Sequence, residues 1–464
     1  MPQSSDAIDP LRWLVYLLVG GPLLAWLFVT RQESLRLLIV LITLIFVQDA
    51  LAGRRYVSAF SVAPSFMLVY VALFSQIVQR RIPRVGIFGP LWLGFLFLAA
   101  VGAVVGSLGT GLMLKNIDAY QVVYFEGFFF FLFGLVAVRR DVDLVLFLRQ
   151  QATFIGLAIA LIHFATTATG FRFRNADVTS TDVYYGGVFD NSNALAAYYV
   201  MLIPVALSML ARERLSSLWR FFTVIALIAM TGSLVLTGGR SGLIFTVGMC
   251  FIALTWSRIG LARGIAVIAA AGVLAFVGFE VMQSVVPDRW LDILGVAEEE
   301  GLQSNRFFLI QRYGLMMLQH PVGIGLSVPN FMTKIAEYDI PGVLSSHDIY
   351  IDMGLQTGIL GLVLFVAMIG IVLIRNRRAF ALSADHDQRE ALLYLFLLLL
   401  GYLSNGIFQP IFAVYPKLNN ILWLLCGLSL AASDRAFAAH RATLRGERNA
   451  EPASLVSSAY AQRA

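Results

Sequence analysis

Charged side chains are scarce in this sequence. Only 13% of its 464 residues are Asp, Glu, Lys or Arg, whereas 59% are hydrophobic. A water-soluble protein of this length needs far more charge to cover its surface, so the composition excludes a soluble globular enzyme. Cysteine is nearly absent too: Cys250 and Cys426 both lie inside apolar runs. This excludes a disulfide framework and a Cys-x-x-Cys metal site, and predicts that both thiols pack against apolar neighbours.

The short alternating segments typical of a membrane β-barrel are also missing. Instead, apolar windows of about 18 residues or more recur, each long enough to cross about 30 Å of hydrocarbon. The sequence therefore predicts an all-α, polytopic integral membrane protein with about 12 or 13 transmembrane helices. The windows lie near residues 12–30, 35–52, 58–80, 86–108, 119–138, 145–168, 192–211, 217–238, 241–257, 264–284, 349–374, 390–408 and 418–432.

Basic segments predict how these helices cross the membrane. They fall between alternate windows, and the positive-inside bias places them in the cytoplasm. They are residues 79–84, 138–141, 211–214, 257–264 and 375–378, whereas 53–56 lies on the opposite side in this scheme. The same bias accounts for the net charge of +6, so no nucleic-acid partner is expected. The first residues, MPQSSDAIDP, lack a basic region, so no cleavable signal peptide is expected.

The longest polar stretch, residues 285–348, faces outward in this scheme. Its apolar residues recur at helical spacing, which predicts short amphipathic helices at the membrane interface. Pro321 is expected to end one of them, because proline disrupts a helix interior.

Arg240 stands between two apolar windows, in the segment TGGRSG. Arginine near the bilayer centre is unfavourable by about 2.5–3.5 kcal/mol on insertion scales. It is either a snorkelling anchor in a glycine-rich turn or a phosphate clamp, because its forked donors match phosphate oxygens. The segment lacks the lysine and the spacing of a nucleotide-binding P-loop.

Three polar residues of the outward stretch are candidates for the site. Arg306 begins an amphipathic segment and would alone be a surface residue. His347 would alone be a solvated loop residue, but imidazole is the side chain best suited to accept a proton near neutral pH. Asp348 either orients that ring or caps the helix that follows.

Two further carboxylate features are ambiguous. Glu126 lies in an aromatic span, where an ionisable group suggests function, although it also lies near the outer end. Asp141 and Asp143 form a DxD pair, the arrangement with which many nucleotide-sugar transferases hold a divalent metal. Their short cytoplasmic loop carries no globular domain, so helix capping is the favoured interpretation.

Four stretches, in this order, resemble the O-antigen ligase and O-antigen polymerase family of bacterial envelope glycosyltransferases. They are GGVFDNSNALAAYYVMLIPVAL (186–207), TGGRSGLI (237–244), SNRFFLIQRYGLMMLQHPVGIGL (304–326) and HDIYIDMGLQTGILGL (347–362). The chain departs from the family pattern at Gly239, where serine is common, and at Asp348, where asparagine is usual.

The resemblance implies a fold like that of the C-type glycosyltransferases, with an outward-facing active site in the bacterial cytoplasmic membrane. It implies a glycan donor on undecaprenyl diphosphate and a hydroxyl acceptor on another glycan or on lipid A-core. Arg240 and Arg306 would bind the diphosphate, and His347 would be the base or position the acceptor. Further binding residues would be Arg172, Arg174, Asn193 and Asp348. Transfer would invert the anomeric carbon and need no metal or cofactor, and other polysaccharide-export proteins remain open as partners.

The resemblance also implies a domain organisation. Residues 1–185 would be N-terminal transmembrane helices and 186–375 a ligase-like core that includes the loop 285–348. Residues 376–432 would add C-terminal helices, and 433–464 a basic, disordered cytoplasmic tail.

Three functions stay open at this stage. A polymerase and a ligase use the same donor chemistry, and the sequence does not separate them. A transporter or lipid flippase would predict internal repeats and charges deep in several spans, which the sequence does not contain in convincing form. A structural scaffold for an envelope complex would leave His347 freely replaceable.

Overall fold

The computed structural model describes residues 33–47, 64–78, 85–138, 143–169, 187–189, 192–210, 215–237, 240–256, 306–338, 346, 348–407 and 416–461. Within these ranges the chain is helical and contains no strand. The helices are α1 (Glu33–Ile42), α2 (Pro64–Val78), α3 (Phe88–Ser107), α4 (Met113–Ala137), α5 (Leu144–Ala168), α6 (Ser192–Leu210), α7 (Ser217–Leu236), α8 (Arg240–Trp256), α9 (Arg306–Gln319), α10 (Val328–Ile335), α11 (Ile349–Leu382), α12 (His386–Gly406) and α13 (Pro416–Ala461).

Seven of the described helices are long and apolar enough to span a membrane: α3, α4, α5, α6, α7, α11 and the part of α13 from Lys417 to Arg445. This confirms the predicted all-α, polytopic membrane class. The amphipathic helices expected in the outward stretch are α9 and α10, and α9 ends at Gln319, just before Pro321. The windows predicted at 12–30 and 264–284, and the basic segment 53–56, lie outside the described residues.

Glycines let the central helices approach closely. Along the α4–α13 pair, a Cβ on Gly427 would lie 2.1 Å from Phe131 O, and one on Gly134 would lie 2.4 Å from Leu424 O. Lipid tails are as apolar as the helices, so backbone proximity and close van der Waals contact contribute much of the association between membrane helices.

The two cysteines and one flagged aspartate behave as the sequence predicts. Cys250 and Cys426 are buried free thiols. Asp143 caps α5, since its Oδ1 accepts a hydrogen bond from Leu146 N at 2.8 Å. Its DxD partner, Asp141, lies outside the described residues.

Helices α3 and α11 run antiparallel through the bundle. A Cβ on Gly94 would lie 3.3 Å from Leu364 Cδ1, whereas one on Gly102 would lie 2.2 Å from Gln356 O. The last turn of α3 and the first turns of α11 therefore lie at the same end.

Two other contacts bring further helix termini to this end. Gly406, the last residue of α12, packs against Ile349, the first residue of α11. Lys417, at the start of α13, donates from Nζ to Val188 O, just before α6, at 2.8 Å. The start of α13 is tied to the first turns of α11 through α4, because Asn419 Nδ2 donates to Val123 O and the adjacent Tyr124 OH donates to Gln356 Oε1. We call this the loop end, where α3 and α12 end and α6, α11 and α13 begin.

The opposite end, which we call the basic end, carries two ion pairs between helices. Arg149 lies 3.3 Å from Glu390, and Arg375 pairs with Asp434. The basic residues described at this end are Arg149, Arg220, Arg375, Arg377, Arg378, Arg389, Arg435, Arg441 and Arg445.

Helix α13 continues beyond its spanning part to Ala461. The spanning part of α13 supplies a helical nucleus, so each following residue propagates the helix without a new nucleation step. Alanine, arginine and leucine, which favour helix, make up most of residues 435–445.

Candidate active site

The structure describes the predicted site residues unequally. Arg240 is the first residue of α8 and Arg306 is the first residue of α9, and for both only the backbone is described. His347 lies outside the described residues, but its neighbours Ser346 and Asp348 are described and buried. Of the additional binding candidates, Arg172 and Arg174 also lie outside, and Asn193 is the partly exposed second residue of α6.

Helix α9 packs parallel to the first part of α11. Near the end of α9, Met317 Sδ lies 2.3 Å from where a Cβ on Gly354 would stand. Tyr313 lies one turn earlier in α9, and Asp352 lies nearer the start of α11. Burial first, and next the nearby charge of Asp352, raise the pKa of Tyr313. Arg306 precedes Tyr313 by about two helical turns. The start of α9 is therefore directed toward the start of α11 and residue 347.

Helix α11 is interrupted at Gly358, whose φ of 76° and ψ of 172° are not helical. The interruption frees backbone groups, and the loop that follows α9 satisfies them. Ile359 N donates to Pro321 O at 2.9 Å, and Ile324 N donates to Leu355 O at 2.7 Å. Irregular backbone at membrane depth is tolerated when protein covers it, as this loop does.

The same loop is fixed to α3 and α4 by two asparagines. Asn116 Oδ1 accepts hydrogen bonds from Leu326 N at 2.9 Å and from Ser327 N at 3.0 Å. Asn330 Nδ2 donates to Gly106 O at 2.5 Å, and its Oδ1 accepts from Ser327 Oγ. The sequence Pro-x-Gly-x-Gly thus connects α9 to three other helices and holds α9 in place against α11.

Replacing Gly358 with alanine should destabilise the protein. Its backbone lies in a region that only glycine adopts readily, and such strain costs about 1–3 kcal/mol. A Cβ there would also lie 2.5 Å from Pro321 O. We expect a lower thermal unfolding midpoint in detergent. Gly370→Ala is the matched control in the same helix, because a Cβ at Gly370 meets nothing within 4 Å. Equal midpoints for the two variants would contradict this account.

Asp348 caps α11, one of the two roles that the sequence offered for it; the other, orienting the His347 ring, concerns a residue outside the described ranges. Its Oδ1 accepts hydrogen bonds from Tyr350 N at 2.7 Å and Ile351 N at 3.0 Å. Burial raises the pKa of Asp348, and these two N–H groups partly oppose that rise. One carboxylate oxygen is thus committed to the helix start.

The turn that leads into Arg240 rests on a buried hydrogen-bonded group. Ser233, in the last turn of α7, lies 2.6 Å from His163 Nδ1 on α5 and 2.8 Å from Tyr199 OH on α6. These bonds join three helices just below the turn. They fix where the α7 end stands relative to α6.

The first turn of α8 is held against the same neighbour. A Cβ on Gly242 would lie 3.1 Å from Ala196 Cβ, in the second turn of α6. Since α6 begins at the loop end, α8 also begins there. The starts of α8, α9 and α11 therefore share one end of the bundle.

Residues 225–366 match the family model described as O-antigen ligase. This part of the chain belongs to the O-antigen ligase family. The match confirms the predicted family and contains Arg240, Arg306 and His347. The chain matches no curated protein. The chain is accordingly a multi-pass membrane protein that contains an O-antigen ligase segment. The O-antigen ligase family consists of enzymes that transfer glycans.

Outside the O-antigen ligase segment, Lys417 is a buried charged residue that the sequence analysis did not single out. Its buried Nζ donates to Ile45 O at 3.1 Å and to Val188 O at 2.8 Å, and lies 5.8 Å from the Phe189 ring. It therefore anchors the turn that leads to Asn193. The sequence signal for Lys417 was a lysine in the first turn of an apolar helix, because charged side chains within membrane spans are rare and usually have a specific role.

Glu126 also lies outside the O-antigen ligase segment and is 1% exposed. Its Oε2 accepts a hydrogen bond from Asn420 Nδ2 at 3.3 Å. This bond joins α4 to α13 near the loop end. His163, inside an apolar span, was detectable by the same criterion as Glu126, but its serine and tyrosine partners depend on how the helices pack.

Proposed function

We propose that this protein transfers a glycan from an undecaprenyl-diphosphate carrier to a sugar hydroxyl. The observation that supports this most is the common loop end of α8, α9 and α11 within one O-antigen ligase segment. These helices begin at or beside Arg240, Arg306 and His347, the residues that the sequence assigned to diphosphate and acceptor.

The proposed diphosphate site uses charge in two ways. Guanidinium groups offer a forked set of donors to phosphate oxygens. Arg240 and Arg306 are also first residues of helices, where free backbone N–H groups and the helix dipole favour an anion. Cleavage of the sugar–phosphate bond leaves extra negative charge on the lipid diphosphate. Preplaced cationic donors stabilise that charge as it develops, and in this proposal they do so without a metal ion.

The acceptor hydroxyl needs a proton acceptor within hydrogen-bond reach, and we assign this role to His347. The cap made by Asp348 Oδ1 argues for a structural contribution of that residue beside His347. Attack by the hydroxyl on the face opposite the diphosphate would invert the anomeric carbon. Arg172, Arg174 and Asn193 remain proposed contacts for the glycan or diphosphate.

We further propose that the loop end faces the periplasm across the bacterial cytoplasmic membrane. The clustering of arginines at the basic end supports this, because basic residues accumulate on the cytoplasmic side of membrane proteins. Lipid-linked glycans would then reach the site from the outer leaflet.

Deletion of the gene is the experiment that tests this function and separates its two forms. A polymerase mutant should accumulate single repeat units on the lipid carrier, in the outer leaflet. A ligase mutant should accumulate long lipid-linked chains that never reach the acceptor. Mass spectrometry of extracted lipid-linked glycans distinguishes the two. Unchanged lipid-linked glycans, or units retained in the inner leaflet as expected of a flippase, would contradict transfer.

A further inference from the structure

Two buried side chains bracket the position of His347. Ser346 is 0% exposed and Asp352 is 3% exposed. Asp352 Oδ1 accepts hydrogen bonds from Ser346 N at 3.0 Å and from Ser346 Oγ at 2.7 Å. Ser346 Oγ also accepts from Asp348 N at 3.1 Å. We call Ser346 and Asp352 the 346–352 clamp.

The clamp holds the chain on the side of His347 that the helix cap does not reach. Asp348 fixes the following residues by accepting from the first N–H groups of α11. Asp352 reaches back from the second turn of α11 and fixes the residue before. The two neighbours of residue 347 in the chain, Ser346 and Asp348, are thus both hydrogen-bonded and buried.

A carboxylate is an unfavourable choice for this position if it serves packing alone. Asp352 is buried, and a buried charged group is tolerated only with strong hydrogen-bond partners. An apolar side chain would fill the same volume without that requirement. The carboxylate is therefore better explained by the two bonds that it makes to Ser346 than by burial.

We propose that Asp352 is a positioning residue for His347 and acts through Ser346. The proposal rests on the proposed role of His347 in transfer. Enzymes need reacting groups within a few tenths of an ångström, and a misplacement of about 1 Å can lower the rate about 10²-fold. Loss of the clamp would let the segment before the helix move, while the diphosphate site on α8 and α9 stays intact.

The test uses the full chain in nanodiscs, with lipid-linked repeat units extracted from the deletion strain as donor. Asp352→Ala should lower kcat by about 10- to 100-fold and leave KM for the donor nearly unchanged. Asp352→Asn should restore most of kcat, because its Oδ1 can still accept both bonds from Ser346. Thr357→Ala is the matched control on the same half of α11, since among the described residues Thr357 Oγ1 donates its hydrogen bond within the helix, to Met353 O. Unchanged kcat in Asp352→Ala would overturn the proposal.

A double-mutant cycle separates positioning from general stability. In a His347→Ala background, Asp352→Ala should cause no further loss of kcat, because the group that it positions is gone. An additional loss of the same size would overturn the proposal. If Asp352→Ala does not accumulate in the membrane, Ser346→Ala is measured in the same cycle, with the same two decisive outcomes. Full activity of His347→Ala alone would instead refute the assignment of His347, and with it this inference.

Discussion

Replacing Arg240 or Arg306 with alanine is expected to abolish measurable glycan transfer while the protein remains in the membrane. Removing one preplaced donor from a site that stabilises developing charge lowers kcat by about 10²–10³-fold in well-studied enzymes. Each arginine carries a full charge at a helix start, so we expect at least that loss for each. Transfer is measured with purified protein and extracted lipid-linked donor, and membrane content by immunoblot.

Lysine at either position should rescue poorly, because it keeps the charge but loses the forked donor geometry. The chain offers matched controls. Arg312 lies on α9 with Arg306, 5.3 Å from the Phe308 ring, and Arg220 is exposed at the far end of α7. Arg312→Ala and Arg220→Ala should transfer at close to the wild-type rate. Equal losses in the controls would contradict a specific role of Arg240 and Arg306. Activity in one of the two alanine variants would exclude that arginine from the mechanism.

The positions of the helices were predictable because membrane spans leave a strong hydropathy signal. The window at 192–211 corresponds to Ser192–Leu210, and the window at 86–108 corresponds to Phe88–Ser107. Each span must be apolar over the bilayer thickness, and polar or charged residues follow at once. Periodicity likewise revealed α9 and α10, because an interfacial helix needs one apolar face.

The interruption of α11 was not predictable in the same way. Its residues read as one continuous apolar window, because hydropathy does not register backbone dihedral angles. The break at Gly358 is stabilised by hydrogen bonds to Pro321 and Ile324, in a loop that lies about 35 residues earlier in the chain. The sequence shows where the glycines are, but it does not show which backbone groups of the loop will bond to the interrupted helix.

In the candidate site too, part of the information lies in the sequence and part only in the packing. Sequence motifs indicate Arg240, Arg306 and His347, but the common end of the helices that begin at or beside them depends on contacts that motifs do not encode. Ser233 and Tyr199 carried no signal at all, because serine and tyrosine are unremarkable within spans. Only the packing of α5, α6 and α7 makes them partners of His163.

Replacing His347 with alanine is expected to lower kcat by about 10²–10⁴-fold, the loss typical of a missing general base. KM for the donor should change little, because the proposed diphosphate contacts are on α8 and α9. The backbone beside residue 347 is held by Ser346 and Asp348 through bonds that do not involve the imidazole, so the variant should fold. The resulting defect would then report chemistry rather than stability.

His320→Ala is the matched control for this variant. His320 lies in the same outward region, where its Nε2 is 3.2 Å from Tyr338 OH, and burial together with the nearby Lys334 lowers its pKa. It follows the last residue of α9, at the end of that helix away from residue 347, so its removal should leave kcat close to that of the wild type. His347→Gln tests the base directly, because glutamine can hydrogen-bond to an acceptor hydroxyl but cannot take its proton. If His347→Gln retains near-normal turnover, residue 347 positions the acceptor and the proton leaves by another route. If the kcat of His347→Gln falls as far as that of His347→Ala, the role of residue 347 is to accept the proton through its imidazole.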